Sequence, residues 1–217
     1  MLFRSFEQLA DGSRVPLPHP SIDTGMGLER IAGVCQGVRS NYDTDLFQIF
    51  INYMAELAGV RYRDDADNDT ALRVIADHSR AIAFMIADGI LPSNEGRGYV
   101  LRRLIRRAIR EGRKLGINDA FTSKIADAVI EEFGDVYPEL RDRAAVIREE
   151  LDREEKQFAV TLEKGTHEFQ KLIDRVPAHI EKKIISGKNA FNLYETYGFP
   201  IELTIEMAQE KGFQVDR

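Results

Sequence analysis

The sequence predicts a mainly helical protein that opens with a short antiparallel strand pair. Three observations carry that expectation. From Gly27 onward, apolar residues recur at three- and four-residue steps through most of a 217-residue chain. Before that point, two apolar runs flank an Asp11-Gly12 turn signal. One helical segment, Arg97 to Lys114, sets eight basic residues against a single acid, Glu111.

The first run holds Leu2, Phe3, Phe6 and Leu9, and the second is Val15-Pro16-Leu17-Pro18 with Pro20 following. Two strands are not stable alone in water, so this pair needs a helical layer or further strands. It reads as the edge of a larger sheet. Helices are predicted near Leu28 to Gln36, Asp45 to Leu57, Thr70 to Asp88, Gly98 to Leu115 and Ala120 to Phe133. A long one follows from Pro138 to about Arg175, with Gly165 as its breaking point, and shorter ones cover Lys188 to Tyr197 and Pro200 to Lys211. In the long segment Leu140, Ala144, Ile147, Leu151, Phe158, Leu162 and Phe169 form one apolar stripe, and the Glu/Arg/Lys mixture around it reads as a solvated face. Gly198-Phe199-Pro200 stops one helix and starts the next. The aromatic cluster Phe191, Tyr194, Tyr197 and Phe199 reads first as core between the last two helices and second as a platform for stacked nucleotides. His78 shares an apolar face with Val74, Ile75, Ile82 and Ile86 and reads as a packing residue rather than a catalyst.

Composition bounds the function. A hydrophobic content of 43% with ordinary Gly and Pro describes a folded protein, not a disordered one. The single Cys35 leaves no internal disulfide and no CxxC metal motif, which fits a reducing compartment and makes zinc unexpected. No run approaches the ~20 apolar residues of a membrane helix, and Met1 to Pro20 carries charges and prolines where a signal peptide would be apolar. A cytoplasmic protein with no membrane partner is expected.

Charge is distributed unevenly. Outside the basic segment the chain carries 22 basic and 35 acidic residues, so a cationic helix sits on an anionic body. Leu101, Leu104, Ile105, Ala108, Ile109 and Leu115 form its apolar stripe, with Arg102, Arg106 and Arg110 on one flank and Arg103, Arg107 and Lys114 on the other. Arginine outnumbers lysine, and its planar fork suits phosphate. The partner implied is a nucleic acid gripped locally; the alternative is that these arginines pair with acids elsewhere in the chain.

A second concentrated signal is SIDTGMGLERIAG, residues 21 to 33. Gly25 and Gly27, at the passage from an extended segment into a helix, allow close backbone approach to a ligand, and the helix N-terminus favours phosphate. Arg30 adds a cation. The same pattern is also compatible with a tight turn, a capping carboxylate and a surface charge.

Three long segments, SIDTGMGLERIAGVCQGVRSNYDTDLF, LRVIADHSRAIAFMIADGILPSNEGRGYVLRRLIRRAIR and LYETYGFPIELT, resemble the alanyl-tRNA synthetase family in order and spacing, and the resemblance covers essentially the whole chain. It implies residues 1–37 as the end of a class II antiparallel α+β catalytic domain and residues 38–217 as a helical tRNA-recognition domain. GMGLER resembles motif 3, whereas nothing resembles motifs 1 and 2 or the zinc-bearing editing domain, so the resemblance implies a fragment that is inactive alone. In the family, ATP with Mg2+ activates alanine as an adenylate before transfer to tRNA. By resemblance Arg30 is the catalytic motif 3 arginine contacting ATP, Gly25 and Gly27 let adenine and substrate lie against backbone, and Asp23 pairs with the alanine ammonium group. Acceptor-stem recognition of alanine tRNA falls to Asn94 and to Glu195, which stands where the family commonly has Asp, one methylene shorter. Amides and carboxylates suit the shallow minor groove of A-form RNA. Arg102, Arg103, Arg106, Arg107 and Arg110 would then position the stem through its phosphates without reading it, and DNA is not an expected partner. The alternative reading is a noncatalytic helical RNA-binding module, favoured by a genuine start at Met1.

Overall fold

The computed structural model describes residues 2–176 and 183–216, with the backbone alone at 2–4, 20 and 22–24. The chain divides into two compact units, 1–49 and 50–217.

In the first unit β1 (Leu2–Gln8) pairs antiparallel with β2 (Arg14–Thr24), with Phe6 opposite Pro16 and Gln8 opposite Arg14. The turn between them is made by local chemistry: Gly12 takes φ 83, and both the backbone N–H and the hydroxyl of Ser13 donate to Asp11 Oδ1. β2 runs on past all three prolines, further than the apolar run alone predicts. Proline removes a ladder donor but is accommodated in a two-stranded ribbon, where each strand has a free edge, and register shifts accompany it here. α1 (Leu28–Gln36) follows and is stopped by Gly37 in the left-handed region, φ 67. Its Leu28, Ile31 and Val34 side chains are exposed. The Gln36 side chain then bonds Asp45 twice, giving Nε2–H to Oδ1 at 2.7 Å and accepting the Asp45 N–H at 3.1 Å. That clasp sets the start of α2 (Asp45–Ala58).

The second unit is a helical assembly of α3 (Ala66–Ala87), α4 (Gly96–Lys114), α5 (Thr122–Phe133), α6 (Pro138–Asp142), α7 (Ala144–Asp174), α8 (Gly187–Tyr197) and α9 (Ile201–Glu210), joined by the rest of α2. α3 packs along α4 and α5, α7 crosses α4 and α5, and α8 bridges α7 and α9. The core is drawn from the predicted stripes: Leu101, Ile105, Ala108 and Ile109 of α4 and Ile147, Leu151, Phe158 and Phe169 of α7 are all buried. Burial of such side chains contributes roughly 1.5–3 kcal/mol each, which is why amphipathic period predicts the elements so well. Phe50, Phe84, Phe133 and Tyr137 join in an aromatic cluster with edge-to-face geometry between Phe84 and Tyr137, 5.0 Å between centroids.

Four features differ from the sequence expectation. α3 begins at Ala66, four residues early, because Asp65 Oδ1 accepts the N–H groups of Asp67 and Asn68. The long helix breaks at Arg143 rather than Gly165. The helix runs on through Gly165, where the Phe199 ring occupies the space a side chain would need. Phe191 and Tyr194 are exposed instead of buried, since α8 turns Ala190 and Leu193 inward and only Phe199 of the cluster is fully enclosed. A two-residue parallel pairing of β3 (Ile184–Ile185) with β4 (Gln214–Val215) closes the α8–α9 hairpin and was not signalled by any run. Among the described residues no helix is long and apolar enough to cross a membrane.

Candidate nucleotide and RNA sites

The glycine site lies in the first unit. Gly27 is the N-cap of α1 at φ 78, and its carbonyl accepts the Ile31 N–H at 3.2 Å. A side chain is disfavoured at that φ, so glycine is needed for the entry into the helix. Among the described residues and apart from the adjoining ones in the chain, nothing lies within 4 Å of where a Cβ would sit on Gly25, and on Gly27 the Arg30 stem approaches, at 3.9 Å. Backbone at both glycines is therefore open, beside the first turn of α1 and the exposed Arg30. Donors of this kind fit an anionic nucleotide, with Glu29 as the acid of that turn. The Asp23 side chain lies outside the described side chains. Among the described residues no three His, Cys, Asp or Glu side chains are grouped to hold a metal ion.

The basic helix lies in the second unit, and five of its arginines, Arg102, Arg103, Arg106, Arg107 and Arg110, have carboxylate partners. Glu154 of α7, 2% exposed, accepts from Arg106 Nε at 2.8 Å and from Arg102 Nε at 3.2 Å, and Arg106 also lies over the Phe158 ring. Arg110 is buried between Glu111, Glu206 and Glu210. Lys114 reaches Glu210 at 2.7 Å and Glu111 at 3.1 Å. Burial alone would push the Glu210 carboxyl up, but the Lys114 hydrogen bond and the charge and hydrogen bond of Arg110 hold it below the usual range. Arg103 and Arg107 are different. Their contacts to Glu202 and Glu206 are long, 4.0 and 3.5 Å, and the side chains are 48% and 44% exposed. Pairs of this kind contribute about 0–1 kcal/mol.

Pairing of these arginines with acids elsewhere in the chain is the alternative the sequence leaves open, without saying which acids. Glu202, Glu206 and Glu210 recur every four residues and so share one face of α9, a signal present in the sequence, but what that face meets is decided by packing. Glu154 sits in a stretch that reads as solvated charge and is instead buried.

Asn94 ends the loop before α4. Its Oδ1 accepts from an Arg102 guanidinium N–H, which fixes the amide's orientation and leaves its NH2 group to donate. A small cleft of about 50 Å³ is lined by Asn94, Tyr99, Arg102, Arg103, Tyr194 and Pro200 among others. Tyr194 is the chain neighbour of Glu195, so the fold brings the loop of Asn94 and the LYETYG helix to the same place. Glu195 itself is exposed and does not line the cleft. A larger cleft of about 280 Å³, which shares Arg103, Arg106 and Pro200 with the small one, holds His78, Arg107 and Glu202 among its walls. His78 Nδ1 meets Asp77 Oδ2 at 3.1 Å, and that bond holds the Asp77 carboxyl below its ordinary range.

A glycine-led helix entry in one unit and an arginine-rich helix in the other are the features that the sequence resemblance ties to the class II aminoacyl-tRNA synthetases. The chain belongs to that family: the family of class II (A) tRNA synthetases matches residues 1–217. It is 56% identical over 217 residues to alanine–tRNA ligase of Oleidesulfovibrio alaskensis, 54% over 216 residues to that of Lawsonia intracellularis and 50% over 216 residues to that of Thermotoga petrophila. Each match covers 100% of this chain and 24% of the relative, so the chain spans about a quarter of the length of the curated relatives it matches.

Proposed function

We propose that this chain serves an alanine–tRNA ligase, supplying motif 3 contacts to ATP and alanine and the helical surface that recognises the acceptor stem of alanine tRNA. The observation that carries the RNA part is the shared cleft of Asn94 and Tyr194 among three arginines. Residues 1–37 are assigned to the end of the catalytic domain and residues 38–217 to tRNA recognition, in a cytoplasmic setting.

ATP, bound with Mg2+, would supply the adenylyl group that activates the alanine carboxylate, with pyrophosphate leaving. Toward it, Arg30 offers a guanidinium for phosphate or adenine, Gly25 and Gly27 offer bare backbone, and Asp23 offers a carboxylate to the alanine ammonium group. Toward RNA, the five arginines divide. Arg103 and Arg107 hold their carboxylates loosely and exchange them for phosphate, whereas Arg102 and Arg106 stay with buried Glu154, Arg110, itself buried, stays with Glu111 and Glu210, and all three brace the helix. Asn94, oriented by Arg102, donates to a base edge in the minor groove, and Glu195 on α8 accepts from an exocyclic amine or a 2′-hydroxyl.

The test is binding of the purified protein to acceptor-stem hairpins carrying either a G·U wobble or a Watson–Crick pair, over a salt series. Preference for the wobble hairpin, lost in Asn94→Ala, supports the reading. Salt-dependent binding without preference reduces it to a phosphate grip, and absence of binding removes the RNA role.

A further inference from the structure

Two half-exposed aromatic rings stand on α8 beside the proposed reading cleft. Phe191 is 51% and Tyr194 48% exposed, and their centroids lie 6.3 Å apart with planes tilted 45°. Neither is required by the core, because Ala190 and Leu193 supply the buried stripe of the helix. Along the exposed face the sequence places Lys188, Phe191, then Tyr194 and Glu195, at three- and four-residue steps. That face runs cation, ring, ring, acid. Tyr194 also lines the cleft of Asn94, where Arg102, Arg103 and Arg106 stand beside Tyr99 and Pro200.

An apolar patch meant for a protein surface is expected to continue into aliphatic neighbours; this one continues into guanidinium groups. Exposed aromatics edged by cations are the parts that hold unpaired nucleotides, since every base has a π face and every linkage a phosphate. We propose that the Phe191–Tyr194 ring pair is a stacking site for an unpaired base of the bound RNA, next to the base pair met by Asn94. This rests on the acceptor-stem reading and adds to it a contact that gives affinity without choosing sequence. Lys188 takes the adjoining phosphate.

The experiment uses hairpins with 2-aminopurine either in the unpaired 3′ strand or inside the duplex. The chain has no tryptophan, so protein emission interferes little. Binding is expected to quench the unpaired probe and leave the duplex probe unchanged. Tyr194→Leu and Phe191→Leu should abolish the quench and weaken binding about tenfold, the size of one lost stack. In Phe191→Leu, whose ring does not line the cleft of Asn94, the salt slope and wobble preference should stay as in the unsubstituted protein. Tyr194→Phe and Phe191→Tyr, which keep the rings, should keep the quench. An unchanged quench in both leucine variants overturns the proposal, as does a ring-dependent self-association seen by sedimentation, which would make the patch a contact between copies. If the unsubstituted protein prefers the wobble hairpin yet quenches nothing, only the stacking site falls. If it binds neither hairpin, the acceptor-stem reading falls with it.

Discussion

The Tyr99 hydroxyl donates a 2.7 Å hydrogen bond to Glu202 Oε1, joining the first turns of α4 and α9 across 103 residues of chain. The contact places the α8–α9 corner against the loop of Asn94. Burial, followed by the bond to a carboxylate, disfavours the phenolate and pushes the Tyr99 hydroxyl from 10.0 up to about 12. Folded protein therefore holds this proton where the unfolded chain releases it.

The sign of the pH effect follows. The contribution of Tyr99 is complete below about pH 10 and is lost as pH rises toward 12. Ultraviolet difference spectra should show one phenolate forming near pH 12, absent in Tyr99→Phe. That variant should lose about 1 kcal/mol at neutral pH, with weaker alkaline dependence. Retention of the late phenolate in Tyr99→Phe would assign it to another tyrosine.

Glu154 is the keystone of the α4–α7 contact. Glu154→Ala leaves Arg102 and Arg106 in a site that has lost its only buried carboxylate among the described residues. Urea denaturation should show a loss of about 3–5 kcal/mol, as for other broken buried pairs. Arg103→Ala, by contrast, should change stability by less than about 1 kcal/mol.

Glu155 caps a helix it does not belong to. Its carboxylate accepts from the N–H of Phe121, the N–H of Thr122 at 2.9 Å and the Thr122 hydroxyl at 2.5 Å. Glu155→Ala should cost about 2 kcal/mol. Amide exchange at the start of α5 should accelerate, and equal protection there would show that water replaces the cap.

Gly165→Ala sets two effects against each other. Alanine favours a helix interior by about 1 kcal/mol over glycine, but here the new methyl overlaps the Phe199 ring. Overpacking costs about 1–3 kcal/mol, so the variant should be destabilised in thermal melts. Adding Phe199→Leu should recover part of the loss, a coupling expected only of residues in contact.

Glu206→Gln should tighten RNA binding a few-fold at low salt by releasing Arg107 from its loose pairing. Arg107→Ala should weaken wobble and Watson–Crick hairpins alike and flatten the salt dependence. Loss confined to the wobble hairpin would make Arg107 a reader of sequence.

Much of the fold was legible because helix formation in this chain is locally encoded. The apolar stripe of α4, the stop at Gly37 and the entry at Gly27 are each fixed within a few residues. The break at Arg143 was not legible, since the apolar period runs through it without interruption. Gly165 pointed the wrong way: its reason lies in Phe199, 34 residues further on. The candidate RNA residues were named from separate segments, Asn94 before α4 and Glu195 on α8; the fold brings Tyr194, the chain neighbour of Glu195, to the cleft of Asn94, while Glu195 itself does not line it.

By itself the sequence determined the helical class, the glycine-led helix entry and the presence of a dense arginine face, because these depend on spacing along one chain. Tertiary structure alone decided which arginines are held and which remain available. Pairing energy depends on distance and burial, and only packing brings Glu154 to Arg102 and Arg106 in a dry site while leaving Arg103 and Arg107 at the solvent edge.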